Sequence, residues 1–352
     1  MRVVVLNIGS SQFSDNDCTR EYLHLAESNG YEVCFVYLAS VKKPSPKTYI
    51  HSGAVVSLKS VCDDLRPDMV VCSRALNARI QRNLEKALCV NVVDRTELIL
   101  SLFEKRATSS AGKCQVELAR LSYMQTKLVR GWTHLERQRG GIGLRGGPGE
   151  TQIEVDRRIL RENIHKTKHK LDKLVKTRRL NRQRRQSNRP YVVALVGYTN
   201  AGKSTLFNLL TQSTAWANDQ LFATLDPLVR RVRYPGLNTE VVLVDTVGFM
   251  RDLPEPLVTA FHSTLEEITH SDLILHIVDC GDPELHQKKQ SVNDALVAIS
   301  AQDIPTFTVY NKADLNPDFS VLGDADCMVS SINSTGIESL VQRIAQHCQG
   351  SE

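Results

Sequence analysis

The stretch PYVVALVGYTNAGKSTLFNLL, residues 190–210, limits the folds open to this chain more than any other. Its apolar run Val192 to Val196 reads as a buried strand, Gly197-x-x-x-x-Gly202-Lys203-Ser204 follows directly, and a helical pattern opens at once. That order of strand, glycine-rich loop and helix builds a phosphate cradle in a parallel α/β sheet. The loop N–H groups and the helix N-terminus hold the phosphates, which puts Gly197, Tyr198, Thr199, Asn200, Ala201, Gly202 and Thr205 at the nucleotide. Lys203 reaches the β and γ oxygens and Ser204 ligates Mg²⁺.

A phosphate cradle does not choose a base. Asp245-Thr246-Val247-Gly248 follows the strand-like EVVLV, placing a carboxylate to hold a Mg²⁺-bound water and a glycine N–H near the γ-phosphate. Further on, TFTVY ends in Asn311-Lys312-Ala313-Asp314. The Asp314 carboxylate accepts two hydrogen bonds from guanine's ring N–H and exocyclic amine, and adenine has no such donor pair. Between cradle and Asp245, Phe222-Ala223-Thr224 opens the segment FATLDP, in which Thr224 is the switch threonine that closes on Mg²⁺. Ser330-Ser331-Ile332, after a last short strand, touches the guanine oxygen through backbone N–H. The expected metal ligands are therefore Ser204, Thr224 and Asp245, the last directly or through water, and Lys203, Thr224 and Gly248 act on the reacting phosphate. In this order at strand ends, the motifs resemble the GTP-binding domain of the translation-factor class of P-loop GTPases, with GTP as substrate and GDP as product.

The 352 residues leave room for two or three domains. Hydrophobic residues make 41% and charged residues 24%, which excludes wholesale disorder and a fibrous repeat. The opening MRVVVLNIGSS is too brief for a signal-peptide core, and no apolar run reaches the roughly 18 residues of a membrane helix. The nine cysteines lack C-x-x-C spacing and several sit in apolar runs, so they read as thiols in a reducing cytosol. From Arg2 to Asp94, the strand-like RVVVLNI, YEVCFVYL, DMVVCS and CVNVVD alternate with helical stretches near 18–29, 57–66 and 76–87, a small parallel α/β layer.

After residue 97 the period changes. Ala107, Ala111, Cys114, Leu118, Leu121, Gln125, Leu128, Trp132 and Leu135 make a heptad seam of about eight helical turns, and Ile153, Leu160, Ile164, Leu171 and Leu174 make a second. Between them GGIGLRGGPG, residues 140–149, holds six glycines and a proline, which no helix survives. Two long antiparallel helices packed on their seams, with a glycine-rich tip roughly 50 Å from the base, solve this pattern. Residues 125–189 hold 19 Lys and Arg against 6 Asp and Glu, while the whole chain is only +5, so the positive charge is concentrated here. Arg139, Gly140, Gly141, Gly143, Arg145, Gly146 and Gly147 form a tip whose bare backbone and guanidinium groups suit RNA phosphates and bases. The expected architecture is thus an N-terminal α/β subdomain (1–97), a basic helical hairpin (98–189), a Ras-like P-loop domain (190–348) and a tail (349–352).

QRNLEKAL, VVDRTELIL, QVELARLSYM, WTHLERQRGGIGLRGGPGETQIEVDRR, GYTNAGKSTLFN, FATLDP, DTVGFMRDLP and NKAD together resemble the HflX family of ribosome-associated GTPases over nearly the whole chain. The resemblance implies binding to the large (50S) ribosomal subunit, a tip reaching toward rRNA of the peptidyl-transferase centre, and separation of stalled or idle 70S ribosomes into subunits. It implies a monomer in the cytoplasm, associated with ribosomes and peripherally with membrane. Leu228 stands where a threonine commonly follows LDP, Ser331 where alanine is usual, and longer members continue past the GTPase domain. Phe249 follows Gly248 where a Ras-like GTPase has glutamine, and a phenyl ring cannot orient water, so slow hydrolysis completed by a docked partner is expected. On the residues alone two other readings stay open: a switch with a protein partner, and a nucleotide-driven RNA chaperone acting on free rRNA.

Overall fold

The computed structural model describes residues 1–9, 15–131, 152–185, 190–212, 221–222, 224–225, 227–234, 240–251, 253–265, 267–316 and 327–350. They form two compact units, Met1–Lys105 with Cys114–Leu171, and Arg106–Lys113 with Asp172–Glu352.

The first unit opens as the alternating pattern requires. Strands β1 (Arg2–Gly9), β2 (Glu32–Ser40), β3 (Met69–Cys72) and β4 (Asn91–Val93) form a parallel sheet in the order β2-β1-β3-β4. Helices α1 (Asp15–Ser28), α2 (Ser52–Leu65) and α3 (Ala78–Leu88) connect them. β1 reads RVVVLNIG with no polar alternation because both its faces are covered: Val3 through Leu6 have no exposed surface. Val4, Leu6, Val70, Cys72 and Val92 pack with Leu58, Leu84 and Leu88 from the helices. Asn77 starts α3 because its Oδ1 accepts the Ile80 N–H at 2.8 Å.

Helix α4 (Arg95–Arg106) runs across the boundary expected at residue 97 and buries Leu98, Ile99, Leu102 and Phe103. The heptad seam was expected to be helical from Ala107; instead the chain leaves the helix at 107–109 and restarts as α5 (Ser110–Gly131). The reason is a cap: the Ser109 Oγ accepts the Gly112 N–H at 2.9 Å, and its carbonyl accepts the Lys113 N–H at 3.0 Å. In α5 the seam residues Ala111 and Cys114 are buried and Leu118, Leu121, Gln125 and Leu128 half-buried, while Gln115, Val116 and Ala119, off the seam, are buried as well. In α6 (Gln152–Arg185), Leu171 is buried and Leu160, Ile164 and Leu174 half-buried, while Arg161, Lys166, Lys168, Lys170, Lys173 and Lys176 are exposed. Trp132, Leu135, the 140–149 tip and its Arg139, Gly140, Gly141, Gly143, Arg145, Gly146 and Gly147 lie outside the described residues.

The second unit is built on a six-stranded sheet in the order β10-β9-β8-β5-β7-β6. Its strands are β5 (Tyr191–Gly197), β6 (Leu228–Val232), β7 (Val241–Asp245), β8 (Leu273–Asp279), β9 (Thr306–Asn311) and β10 (Cys327–Met328). Only β6 runs antiparallel, paired to β7. Helices α7 (Lys203–Thr211), α8 (Glu255–Leu265), α9 (Leu285–Ala298) and α10 (Ile337–Gly350) complete the layers. Val193, Leu195, Leu243, Leu275, Ile277 and Val309 form the floor on which Leu206, Phe207, Leu340 and Ile344 pack. Leu228, the departure after LDP, begins β6 opposite Asp245 and packs against this core, so an apolar residue fits there. After β5 the chain first builds strands on one side of it and then crosses to the other, which makes the carboxyl end of β5 the topological switch point where ligands bind in open α/β sheets.

Candidate functional site

The loop after β5 turns at that switch point. A Cβ on Gly197 would stand 2.3 Å from the Ile277 carbonyl oxygen, so only glycine lets β5 end against β8 here. Gly202 has φ +87° and a Cβ there would stand 2.2 Å from Asn311 Nδ2, so the backbone that opens α7 also needs a glycine. The Lys203 side chain is buried under this loop and its ammonium donates to the Tyr198 carbonyl at 2.8 Å. Burial pushes that ammonium down to about 8, and the neighbouring Asp245 carboxylate pulls it back up. Burial in turn raises Asp245, opposed by Lys203 and by hydrogen bonds from Ser204 and Thr224. A bound polyphosphate adds negative charge beside Lys203 and favours the charged ammonium.

Three oxygens meet next to Lys203. Ser204 Oγ is 2.7 Å from Asp245 Oδ2, Thr224 Oγ1 is 2.8 Å from the same atom, and the two hydroxyls are 2.7 Å apart. Each hydroxyl has one proton, so if both point at Asp245 the Ser204 and Thr224 oxygens face each other through lone pairs. The second oxygen of Asp245 is buried with no partner among the described residues. Crowded hard oxygens with an unsatisfied carboxylate are the donor set that a small divalent cation such as Mg²⁺ takes.

The segment after Asp245 lies on the phosphate loop. Thr246 Oγ1 donates to the Leu195 carbonyl at 2.7 Å. The Phe249 N–H donates to Gly197 O at 3.0 Å, and Phe249 O accepts the Thr199 N–H at 2.7 Å. The Phe249 ring is buried and is not on the wall of the cleft.

At the other end of the cleft, Asn311 works as a brace. Its Nδ2 donates to Ala201 O at 3.0 Å, and its Oδ1 accepts from Ser331 N–H at 3.1 Å and Ser331 Oγ at 2.8 Å. Serine in place of the usual alanine at 331 thus adds a hydrogen bond that alanine cannot make. Ser330 Oγ donates to Asp314 Oδ1 at 2.5 Å and fixes that carboxylate on the cleft wall. Lys312, at φ +61°, is paired with Asp279 at 2.9 Å.

One cleft is lined by Thr199, Asn200, Gly202, Lys203, Ser204, Thr205, Phe222, Thr224, Thr246, Gly248, Asn311, Lys312, Asp314, Ser331 and Ile332. Gly197, Tyr198, Ala201, Asp245, Val247 and Ser330 stand behind that lining as its support, and Ala223 lies outside the described residues. Two residues escaped the sequence reading. Leu315 lines the cleft at 66% exposure; its signal was an apolar residue directly after Asn-Lys-Ala-Asp. Asp279, which holds Lys312, was marked by a carboxylate ending the strand-like run LILHIVD.

A phosphate loop at the switch point, a hydroxyl–carboxylate cluster beside its lysine and a braced carboxylate after Asn-Lys-Ala at the far end of the same cleft are the parts of a P-loop GTPase. Three family profiles match in succession: a GTP-binding GTPase N-terminal region over residues 16–104, a GTP-binding GTPase middle region over 106–185, and a 50S ribosome-binding GTPase over 192–312. The GTPase HflX of Magnetococcus marinus is 48% identical, with 97% of this chain and 81% of that protein covered. The GTPase HflX of Escherichia coli is 43% identical, with 99% and 83% covered. Among solved structures, that of SsGBP in complex with GDP is 26% identical over 100% of both chains, with a TM-score of 0.53. The chain belongs to the HflX family of GTPases.

Proposed function

We propose that this GTPase works on the large ribosomal subunit and separates stalled or idle 70S ribosomes, using GTP as the state signal. The observation that carries the reading is the junction, in one chain, of a GTP cleft whose Thr224 is drawn onto Ser204 and Asp245 with a segment holding 19 Lys and Arg against 6 Asp and Glu. The match of residues 192–312 to a 50S ribosome-binding GTPase profile supports it. In this reading Gly197 to Thr205 hold the phosphates, Asn311, Lys312, Asp314 and Ser330 to Ile332 hold guanine, and Phe222 and Thr224 belong to the segment that senses the γ-phosphate. Ser204, Thr224 and Asp245 would hold Mg²⁺, Asp245 directly or through water. The ion supplies charge neutralisation on the phosphate oxygens when bound. The protein acts as a monomer in the cytoplasm, and its exposed Lys and Arg along α6 together with Arg139 to Gly147 meet rRNA.

Because the Phe249 ring is turned into the interior, hydrolysis by the free protein is slow and docking completes the site, by about 10³ to 10⁵ in rate. The test is steady-state GTP hydrolysis by the purified chain alone and with large subunits, small subunits or 70S ribosomes, with ATP as control. Expected is a steep rise with large subunits or 70S ribosomes, abolished in Lys203→Ala, and appearance of free subunits. A flat response to every ribosomal particle would move the reading to a switch with a protein partner.

A further inference from the structure

Phe249 offers no group to orient the water that attacks a γ-phosphate, so the basal hydrolysis of the free protein, before docking raises it, draws on another side chain at that end of the cleft. Buried polar side-chain atoms without a partner among the described residues include two near Lys203: Asp245 Oδ1, part of the cation cluster, and Thr199 Oγ1. Thr199 lines the cleft and is 6% exposed. Its N–H is already spent on Phe249 O, which leaves the hydroxyl as its uncommitted donor. A Cβ built on Gly248 would stand 2.9 Å from the Thr199 methyl Cγ2 and 3.0 Å from Lys203 Nζ, so the Thr199 side chain meets Lys203 and Gly248 through its methyl, and a turn about χ1 exchanges methyl and hydroxyl at that point. A nucleotide with its base at Asp314 and its phosphates at Lys203 places the terminal phosphate there. Packing gives no reason for the hydroxyl, since valine has the same shape and would avoid burying an unsatisfied polar atom.

We propose that the Thr199 hydroxyl is a catalytic group of the GTPase, contacting the γ-phosphate and the water that attacks it. The water oxygen bonds to the γ-phosphorus as the bond from that phosphorus to the β–γ bridging oxygen breaks, and the electron pair of that bond leaves on GDP. A water proton passes to an oxygen of the released phosphate. Thr199 accepts a hydrogen bond from the water, donates its own proton's hydrogen bond to a γ-phosphate oxygen, and ends unchanged. This rests on the GTP reading of the cleft and is independent of the ribosome.

The test uses the full chain without ribosomes, comparing wild type, Thr199→Val and Thr199→Ser. The readouts are single-turnover GTP hydrolysis, affinity for a fluorescent GDP, and capture of aluminium fluoride on GDP as a mimic of the transferring phosphoryl group. Thr199→Val is expected to slow hydrolysis by about 10-fold or more and to lose aluminium fluoride capture, with GDP affinity held within about threefold; Thr199→Ser recovers most of the rate. Wild-type hydrolysis in Thr199→Val overturns the proposal. So does an equal slowing in Thr199→Ser, or a loss of GDP affinity in Thr199→Val that accounts for its lost rate, because each assigns the residue a packing role. Failure of the wild type itself to bind GDP would instead overturn the GTP reading.

Discussion

His276 sits within β8 at 2% exposure, among the apolar residues of that strand. Burial, with the positive charges of Lys289 and Lys203 adding to it, pushes its imidazole down to about 4. An unfolded chain takes up that proton near pH 6.5, so between about 6.5 and 4 the unfolded state binds more protons than the folded one. The stability that the neutral ring allows is therefore complete above that window and is lost as the pH falls through it, by at most about 3 kcal/mol. Urea unfolding of wild type and His276→Gln at about pH 7 and about pH 5 checks this. The variant is expected to lose less stability on acidification than wild type; parallel losses would show that His276 is not the titrating group.

At the scale of elements, the first unit contains a buried ionic knot that ties α5 to the carboxyl end of its sheet. Asp94, just after β4, has no exposed surface. Its two oxygens accept from Lys127 Nζ at 2.9 Å, Tyr123 Oη at 2.7 Å, and the N–H groups of Leu76 at 3.0 Å and Glu97 at 2.9 Å. Lys127 also donates to Leu76 O at 2.7 Å and Gln81 Oε1 at 2.6 Å. Every acceptor site on the carboxylate is used, so removing the lysine alone leaves a buried anion. Lys127→Met is expected to destabilise the first unit by about 3 kcal/mol or more, and adding Asp94→Asn to return part of the loss. A thermal-unfolding double-mutant cycle measures it, and purely additive losses would deny the coupling.

For the whole molecule the governing quantity is the uneven charge. The chain carries +5 overall, yet residues 125–189 hold 19 Lys and Arg against 6 Asp and Glu. No described helix is long and apolar enough to cross a membrane. Where such a segment meets a polyanion, counterion release sets the salt dependence of the affinity. Lys166, Lys170 and Lys173 are exposed on one flank of α6. Changing all three to Gln is expected to weaken binding to large ribosomal subunits and to lower the slope of log affinity against log salt by about two to three. Intrinsic GTP hydrolysis without ribosomes should stay as in wild type. Binding measured over a salt series decides this, and an unchanged slope would take these lysines out of the contact.

The strands were readable because buried parallel strands are written as unbroken apolar runs, and the phosphate loop because its glycines answer local demands of the backbone. The order of motifs named guanine for the same kind of reason: Asp314 offers an acceptor pair that matches one base. Local rules also misplaced the start of α5, since heptad spacing runs through Ala107 while a serine cap three residues from Gly112 breaks the helix. What no spacing could supply were contacts between residues far apart in the chain. Asp279 reaches Lys312, Asn311 braces Ala201 against Ser331, and Thr224 meets Asp245 only after β7 and the phosphate loop are side by side. The Thr199 hydroxyl belongs with these, because a threonine in a loop reveals its chemistry only when folding buries it beside Lys203 and Gly248 and leaves it without a partner. Sequence carried what a few neighbouring residues enforce through sterics and hydrogen bonding, and the tertiary fold assigned the rest, since burial and pairing depend on which distant segments share the same space.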